Sequence, residues 1–214
     1  MVDLEENTRH EKLPLITVLL VVINVVVYFG IEWRGSTLEI DDMMQAGAMY
    51  APAFWEEQEY YRIITHFFLH FGFEHLGNNM LSLLVLGYAL ENHVGRGSFG
   101  ILYLCSGVFA GMVSVMYSYV TGRWEETVSC GASGAVYGLM GALLVLLIAN
   151  RRKKLTSEIP RFLLYIGLSL YSGMRDPGID NAAHVGGFLG GILICIFICV
   201  IKRRIFHRKG QVVS

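Results

Sequence analysis

The chain has 214 residues, of which 54% are hydrophobic and only 16% charged, with a formal net charge of −1. Soluble domains carry roughly 25% charged residues, so this composition excludes a single soluble core. The apolar residues gather in long blocks, the pattern of membrane spans of about 17–25 residues.

Residues 1–12 are polar and offer no signal-peptide cleavage site, so they read as a short cytoplasmic segment before a retained span. Hydropathy windows of about 19 residues then divide the chain into six apolar blocks, at 13–31, 76–90, 99–120, 131–149, 162–174 and 182–201. The fold class this predicts is all-α, a polytopic six-transmembrane-helix bundle over 13–201. The connection at about 32–62 is the longest. It holds Trp33, Tyr50, Phe54, Trp55, Tyr60 and Tyr61 among acids, a composition suited to the membrane interface. The fifth block is short, about 20 Å at 1.5 Å per residue against a core of about 30 Å, and spans only with help from its flanks or a thinned bilayer. Residues 202–214 form a basic tail.

Basic residues set the orientation. Arg9, Lys12, Arg96, Arg151, Arg152, Lys153, Lys154, Arg161, Lys202, Arg203, Arg204, Arg208 and Lys209 fall on one side of a six-span chain, and only Arg34, Arg62, Arg123 and Arg175 on the other. Cytoplasmic loops carry the excess of Lys and Arg, which places both termini in the cytoplasm. Five or seven spans destroy that asymmetry. The four cysteines show no metal-type C-x-x-C spacing, and Cys195 and Cys199 read as helix packing residues.

Blocks two, four and six all enter from the outer face, and each carries polar groups in its first turns. These are His75, Asn78 and Asn79, then Ser133, then Asn181 and His184. Polar and ionisable groups inside spans are costly and face the bundle interior or water. Taken singly, a serine in a glycine-rich span is a packing residue and a histidine near a span end is interfacial. Three helices bringing such groups to one depth point instead to a wet pocket at the outer side. Gly134 and Gly138 form a GxxxG pair, and Gly186, Gly187, Gly190 and Gly191 form two more. Small residues of this kind let helix backbones approach, and Gly134 and Gly138 are expected to admit block six.

Ser133 becomes a nucleophile only when a base removes its proton, a task suited to His184 at hydrogen-bonding range. Blocks four and six hold no carboxylate at this depth, which predicts a dyad without an acidic third member. Donors available for an oxyanion are His75, Asn79 and the backbone N–H of Ser133. Tyr137, one turn below Ser133, is placed to pack on the imidazole of His184. His66 and His70 receive no role. The run "GASGA" is not G-x-S-x-G, so a hydrolase nucleophile elbow is not indicated.

At these residues the chain resembles the rhomboid family of intramembrane serine proteases, over most of its length. "HFFLHFGFEHLGNN" resembles the second-span motif, with His75 and Asn79 in its oxyanion-side positions. "GASGAVYG" resembles the GxSG motif, which gives Gly131, the nucleophile Ser133 and the stacking Tyr137. "AAHVGGFLGG" resembles AHxxGxxxG, which gives the base His184, with Gly187 and Gly191 on the packing face. Glu91 matches a glutamate near the cytoplasmic end of the second span. Where the first loop of the family usually ends in Trp-Arg, this chain has Tyr61-Arg62, which keeps an aromatic residue and the arginine.

The resemblance implies a serine endopeptidase of the minimal six-span form common in prokaryotes, set in the plasma membrane. It would cleave single-pass transmembrane protein substrates near their outer ends through an acyl-enzyme intermediate. The lipid bilayer is then its medium, and no cofactor, metal, nucleotide or nucleic acid is implied. Two other classes compete: a rhomboid-like protein that binds membrane clients without cutting them, and a small channel or transporter using the outer pocket. The full set of Ser133, His184 and oxyanion donors argues against the first. Against the second, no charged chain continues to the cytoplasmic side.

Overall fold

The computed structural model describes residues 13–123, 127–149, 159–174 and 178–211. In chain order it has α1 (Leu15–Glu32), α2 (Ile40–Gln45), β1 (Met49–Tyr50), α3 (Ala51–Trp55), α4 (Arg62–Thr65) running into a 3-10 turn (His66–Phe68), α5 (Gly72–Val94), α6 (Arg96–Val120), β2 (Val128–Ser129), α7 (Ser133–Ala149), α8 (Ile159–Met174) and α9 (Asn181–Gln211). The six apolar blocks thus correspond to the six long helices α1, α5, α6, α7, α8 and α9. Arg9, Lys12, the run 151–154 and Arg175 lie outside the described residues, so the charge asymmetry is in part a property of the sequence alone.

Among the described residues three helices are long and apolar enough to cross a membrane: α1, α6 and the part of α9 from Asn181 to Lys202. α7 is apolar but shorter. α5 is long enough, at 23 residues, but is diluted by the polar side chains its two ends carry, among them Glu74, His75, Asn79 and Glu91. The 16 residues of α8 reach about 24 Å. α9 runs unbroken to Gln211, ten residues past the apolar block. The basic segment expected as a tail continues the helix, as Lys and Arg are good helix formers once the apolar stretch has set the axis.

α7 is the centre of the bundle. It is apolar all round, as a helix without a solvent face must be, and every residue from Gly134 to Ala142 is buried. α9 packs most extensively on α7 and α6. The glycines divide this work: Gly187 and Gly191 lie on the packing face as expected, and a Cβ on Gly138 would also lie 3.1 Å from the carbonyl oxygen of Gly187. A Cβ on Gly187 or Gly191 would lie 1.9 Å from the carbonyl oxygen of Gly134 or Gly138, so the close approach of α9 to α7 is made by the glycines of α9. The space freed by Gly134 and Gly138 goes mainly to α6: a Cβ there would lie 2.6 Å from Ala110 Cβ and 2.2 Å from Ser106 Cβ. Gly186 and Gly190 in turn face Val113 and Phe109 of α6.

The ends of the helices are held by polar contacts. Gly95, with φ of 85°, is the only residue between α5 and α6; the left-handed region that glycine tolerates lets one residue reverse the chain. The buried carboxylate of Glu91 accepts hydrogen bonds from Ile16 N (3.0 Å), Thr17 N (2.8 Å) and Thr17 Oγ1 (2.8 Å). It thereby satisfies the N–H groups that the first turn of α1 leaves open, and Arg96 Nε lies 3.9 Å from it. By contrast α8 is loosely attached, with only Ile166 and Gly173 buried.

The first loop is folded rather than draped. Arg62 is buried and donates from Nη1 to the carbonyls of Met44 and Ala48 (both 2.7 Å) and from Nε to Glu59 (2.6 Å). Tyr61 stays half exposed beside it. Phe54 is buried with Trp55 and Tyr60 edge-on to it, so part of the aromatic content packs inward. The expected all-α class needs one amendment. β1 and β2 pair antiparallel, Met49 opposite Ser129 and Tyr50 opposite Val128, and join the first loop to the segment ahead of Ser133. Two-residue strands are too short to leave a periodic trace in the sequence.

Candidate active site

The segment from Val128 to Ser133 is fixed at almost every residue. After β2, Gly131 donates its N–H to the carbonyl of His66 (3.0 Å), and Ala132 donates its N–H to Nε2 of His70 (3.2 Å). Gly131 has φ of 133°, in the left-handed range where a side chain is strained. A Cβ at that position would also lie 2.7 Å from Cε1 and 2.9 Å from Nε2 of His75. α7 then begins at Ser133, with the carbonyl of Ala132 accepting from Val136 N (2.9 Å). The serine thus sits at a helix start, where unpaired N–H groups and the positive end of the helix dipole favour negative charge.

Ser133 Oγ and His184 Nε2 are 2.9 Å apart, across 51 positions of sequence. Hydroxyl donation to Nε2 requires the neutral imidazole to carry its proton on Nδ1. Nδ1 of His184 is buried and has no hydrogen-bond partner among the described residues. The ring is oriented by stacking instead: Tyr137 lies over it with centroids 4.3 Å apart and planes 17° from parallel. The hydroxyl of Tyr137 reaches Ser169 Oγ on α8 at 2.6 Å.

The second-helix residues come to the same place. The point where a Gly131 Cβ would sit is also 3.6 Å from Ser133 Oγ, so His75 and the serine flank one small volume above Gly131. Asn79 is buried and donates from Nδ2 to the carbonyl of His75 (2.9 Å), one turn back on α5. Asn78 is exposed, and Asn181 packs its amide against Gly173 of α8, so neither joins the group.

Three contributors were not legible in the sequence. His66 and His70, given no role there, hold the backbone on which Ser133 stands, His66 through its own backbone carbonyl and His70 through its ring. His66 is itself fixed by Nδ1–H donation to the carbonyl of Arg62 (2.9 Å). His70 packs its ring edge-on against His75, centroids 5.2 Å apart. Burial pushes the pKa of His66 down to about 4 and, with the charge of His75 adding to it, that of His70 down to about 3. His70 therefore stays neutral, as its acceptor role toward Ala132 demands. The third is Asp180, a carboxylate immediately before α9. Its oxygens are taken by Ser114 and by Ala183 N (2.8 Å). The only signal for the two histidines was their spacing ahead of His75.

A bundle of apolar helices around a serine–histidine contact is the arrangement of an integral membrane protein with a polar site inside it. The family model described as Rhomboid domain matches residues 57–201. The chain is 29% identical to Rhomboid protease GluP of Bacillus subtilis over 92% of its own length and 37% of that protein. It is 42% identical to RHOMBOID-like protein 5 of Arabidopsis thaliana over 65% of this chain and 44% of that one. With Rhomboid-type serine protease 2 of Emericella nidulans the identity is 33%, over 67% and 27%. The chain belongs to the rhomboid family, and it spans less than half the length of each of these three relatives.

Proposed function

We propose that this chain is an intramembrane serine endopeptidase of six spans with both termini in the cytoplasm, working in a plasma membrane. In this reading it cuts transmembrane segments of single-pass proteins near the outer face. The observation that carries the proposal is the 2.9 Å contact between Ser133 Oγ and His184 Nε2 in a membrane bundle. His184 takes the serine proton as Oγ attacks the scissile carbonyl, and returns it to the leaving amine. The oxyanion accepts hydrogen bonds from the Ser133 N–H, His75 and the Asn79 amide, close to the positive end of α7. A water, activated by the same histidine, then hydrolyses the acyl-enzyme. Gly131 keeps the backbone that presents these donors free of a side chain.

In this reading the pair works as a dyad whose imidazole is steadied by the stacked ring of Tyr137. Loose packing of α8 supports lateral entry of a substrate helix on that side of the bundle. The protein purified in detergent or liposomes is expected to cleave a single-pass substrate, with both Ser133→Ala and His184→Ala at background. A fluorophosphonate is expected to label Ser133. Cleavage by either variant at the wild-type rate, or labelling at another residue, refutes the dyad.

A further inference from the structure

We propose that Asp180 is a positioning residue, which together with Ser114 pins the N-terminus of α9, and with it His184, to α6. This rests on the dyad reading above and adds to it a second carboxylate-borne layer outside the reacting groups.

Asp180 makes three contacts with different jobs. Its Oδ1 accepts the N–H of Ala183 (2.8 Å), the bond from an N-cap residue to the third residue of its helix. Its backbone carbonyl accepts the N–H of His184 (3.2 Å). Its Oδ2 accepts the hydroxyl of Ser114, which is buried near the C-terminal end of α6. One residue therefore fixes the backbone N–H groups of Ala183 and His184 and ties both to a neighbouring helix.

The α6–α9 interface needs such a pin. Below it, Gly186 and Gly190 lie against Val113 and Phe109. A glycine surface permits close approach but offers few side-chain knobs to resist sliding or rotation. Beyond the Tyr137 stack and the Ser133 contact, the imidazole of His184 has no hydrogen bond among the described residues, because Nδ1 has no partner there. Misplacing a reacting group by about 1 Å can cost on the order of 100-fold in rate. Asp180 Oδ2 is engaged with Ser114 and Oδ1 with the helix end, so the carboxylate reaches His184 through the backbone and makes no hydrogen bond to its imidazole.

The test compares Ser114→Ala, Asp180→Ala and Asp180→Asn with wild type and Ser133→Ala, measuring kcat, KM and thermal unfolding in one detergent. Ser114→Ala leaves the helix cap in place and is the variant least able to disturb folding. Asn can still accept from Ala183 and donate to Ser114. We expect kcat about 10- to 100-fold lower in Ser114→Ala and Asp180→Ala with KM within about 2-fold, and Asp180→Asn within about 3-fold of wild type. Retention of wild-type kcat by both alanine variants overturns the proposal. So does a rise in KM at constant kcat, or an Asn variant as impaired as the Ala variant. If Ser133→Ala cleaves like wild type, the dyad reading itself has failed; if only the Ser114 and Asp180 results go the other way, the pin alone has.

Discussion

The hydroxyl of Tyr137 lies 2.6 Å from Oγ of Ser169 while its ring stacks on His184 at 4.3 Å. The least buried long helix, α8, is therefore linked through one tyrosine to the histidine beside Ser133. The two functions of Tyr137 separate by substitution. Tyr137→Phe and Ser169→Ala remove one hydrogen bond of about 1 kcal/mol and are expected to lower kcat up to about 10-fold. Tyr137→Leu also removes the ring face and is expected to cost more. Equal kcat in the Phe and Leu variants contradicts an orienting role for the stack, and steady-state kinetics on one substrate decide it.

The glycines of α9 are expected to divide by what a methyl group meets. At Gly187 and Gly191 it meets a backbone carbonyl at 1.9 Å, which cannot move without shifting α7. Overpacking of this kind costs roughly 1–3 kcal/mol or more, so Gly187→Ala should unfold at lower temperature and lose activity. Gly167→Ala on α8 meets nothing within 4 Å and should be neutral or stabilising by up to about 1 kcal/mol through helix propensity. Thermal unfolding of both in detergent checks the contrast.

His66 and His70 give the fold a pH dependence. Their folded pKa values, about 4 and about 3, lie below the ordinary 6.5. Between those limits the unfolded chain binds more protons than the folded one. Their contribution is fully present above pH 6.5 and is lost as pH falls towards 3, at up to about 1.4 kcal/mol per pH unit for each histidine. Stability at pH 5 should fall below that at pH 7, and His70→Gln, which can still accept from Ala132, should flatten the slope. An unchanged slope in that variant counts against the assignment.

Glu91→Gln tests the anchoring of α1. The carboxylate accepts three hydrogen bonds at the start of that helix, two of them at 2.8 Å. Gln keeps one acceptor oxygen and brings a donor against N–H groups that are themselves donors. Hydrogen bonds to a buried charge are worth about 1.5–3 kcal/mol each, so a lower unfolding temperature is expected with the Ser133 site still labelled by fluorophosphonate.

The candidate site was legible in part because a membrane makes polar residues conspicuous. Ser133, His184, His75 and Asn79 stood out against apolar blocks, and the glycine spacings showed which helices approach. His66 and His70 did not stand out, because their partners are backbone groups around Gly131 and Ala132, and a backbone contact leaves no side-chain pattern. Asp180 did not stand out either: a cap is defined by where the helix begins, and its link to Ser114 spans 66 positions.

By itself the sequence determined the six apolar blocks, the segregation of basic charge and the residues able to carry serine chemistry. These follow from composition and from the cost of placing polar groups in hydrocarbon. Only the tertiary structure decided which glycine meets which carbonyl, that a two-residue ladder and two histidines hold the loop before Ser133, and that His184 comes within 2.9 Å of it. Those relations depend on rotation and depth of one helix against another. Hydropathy fixes neither to better than about a turn, whereas a hydrogen bond requires both to within a fraction of an ångström.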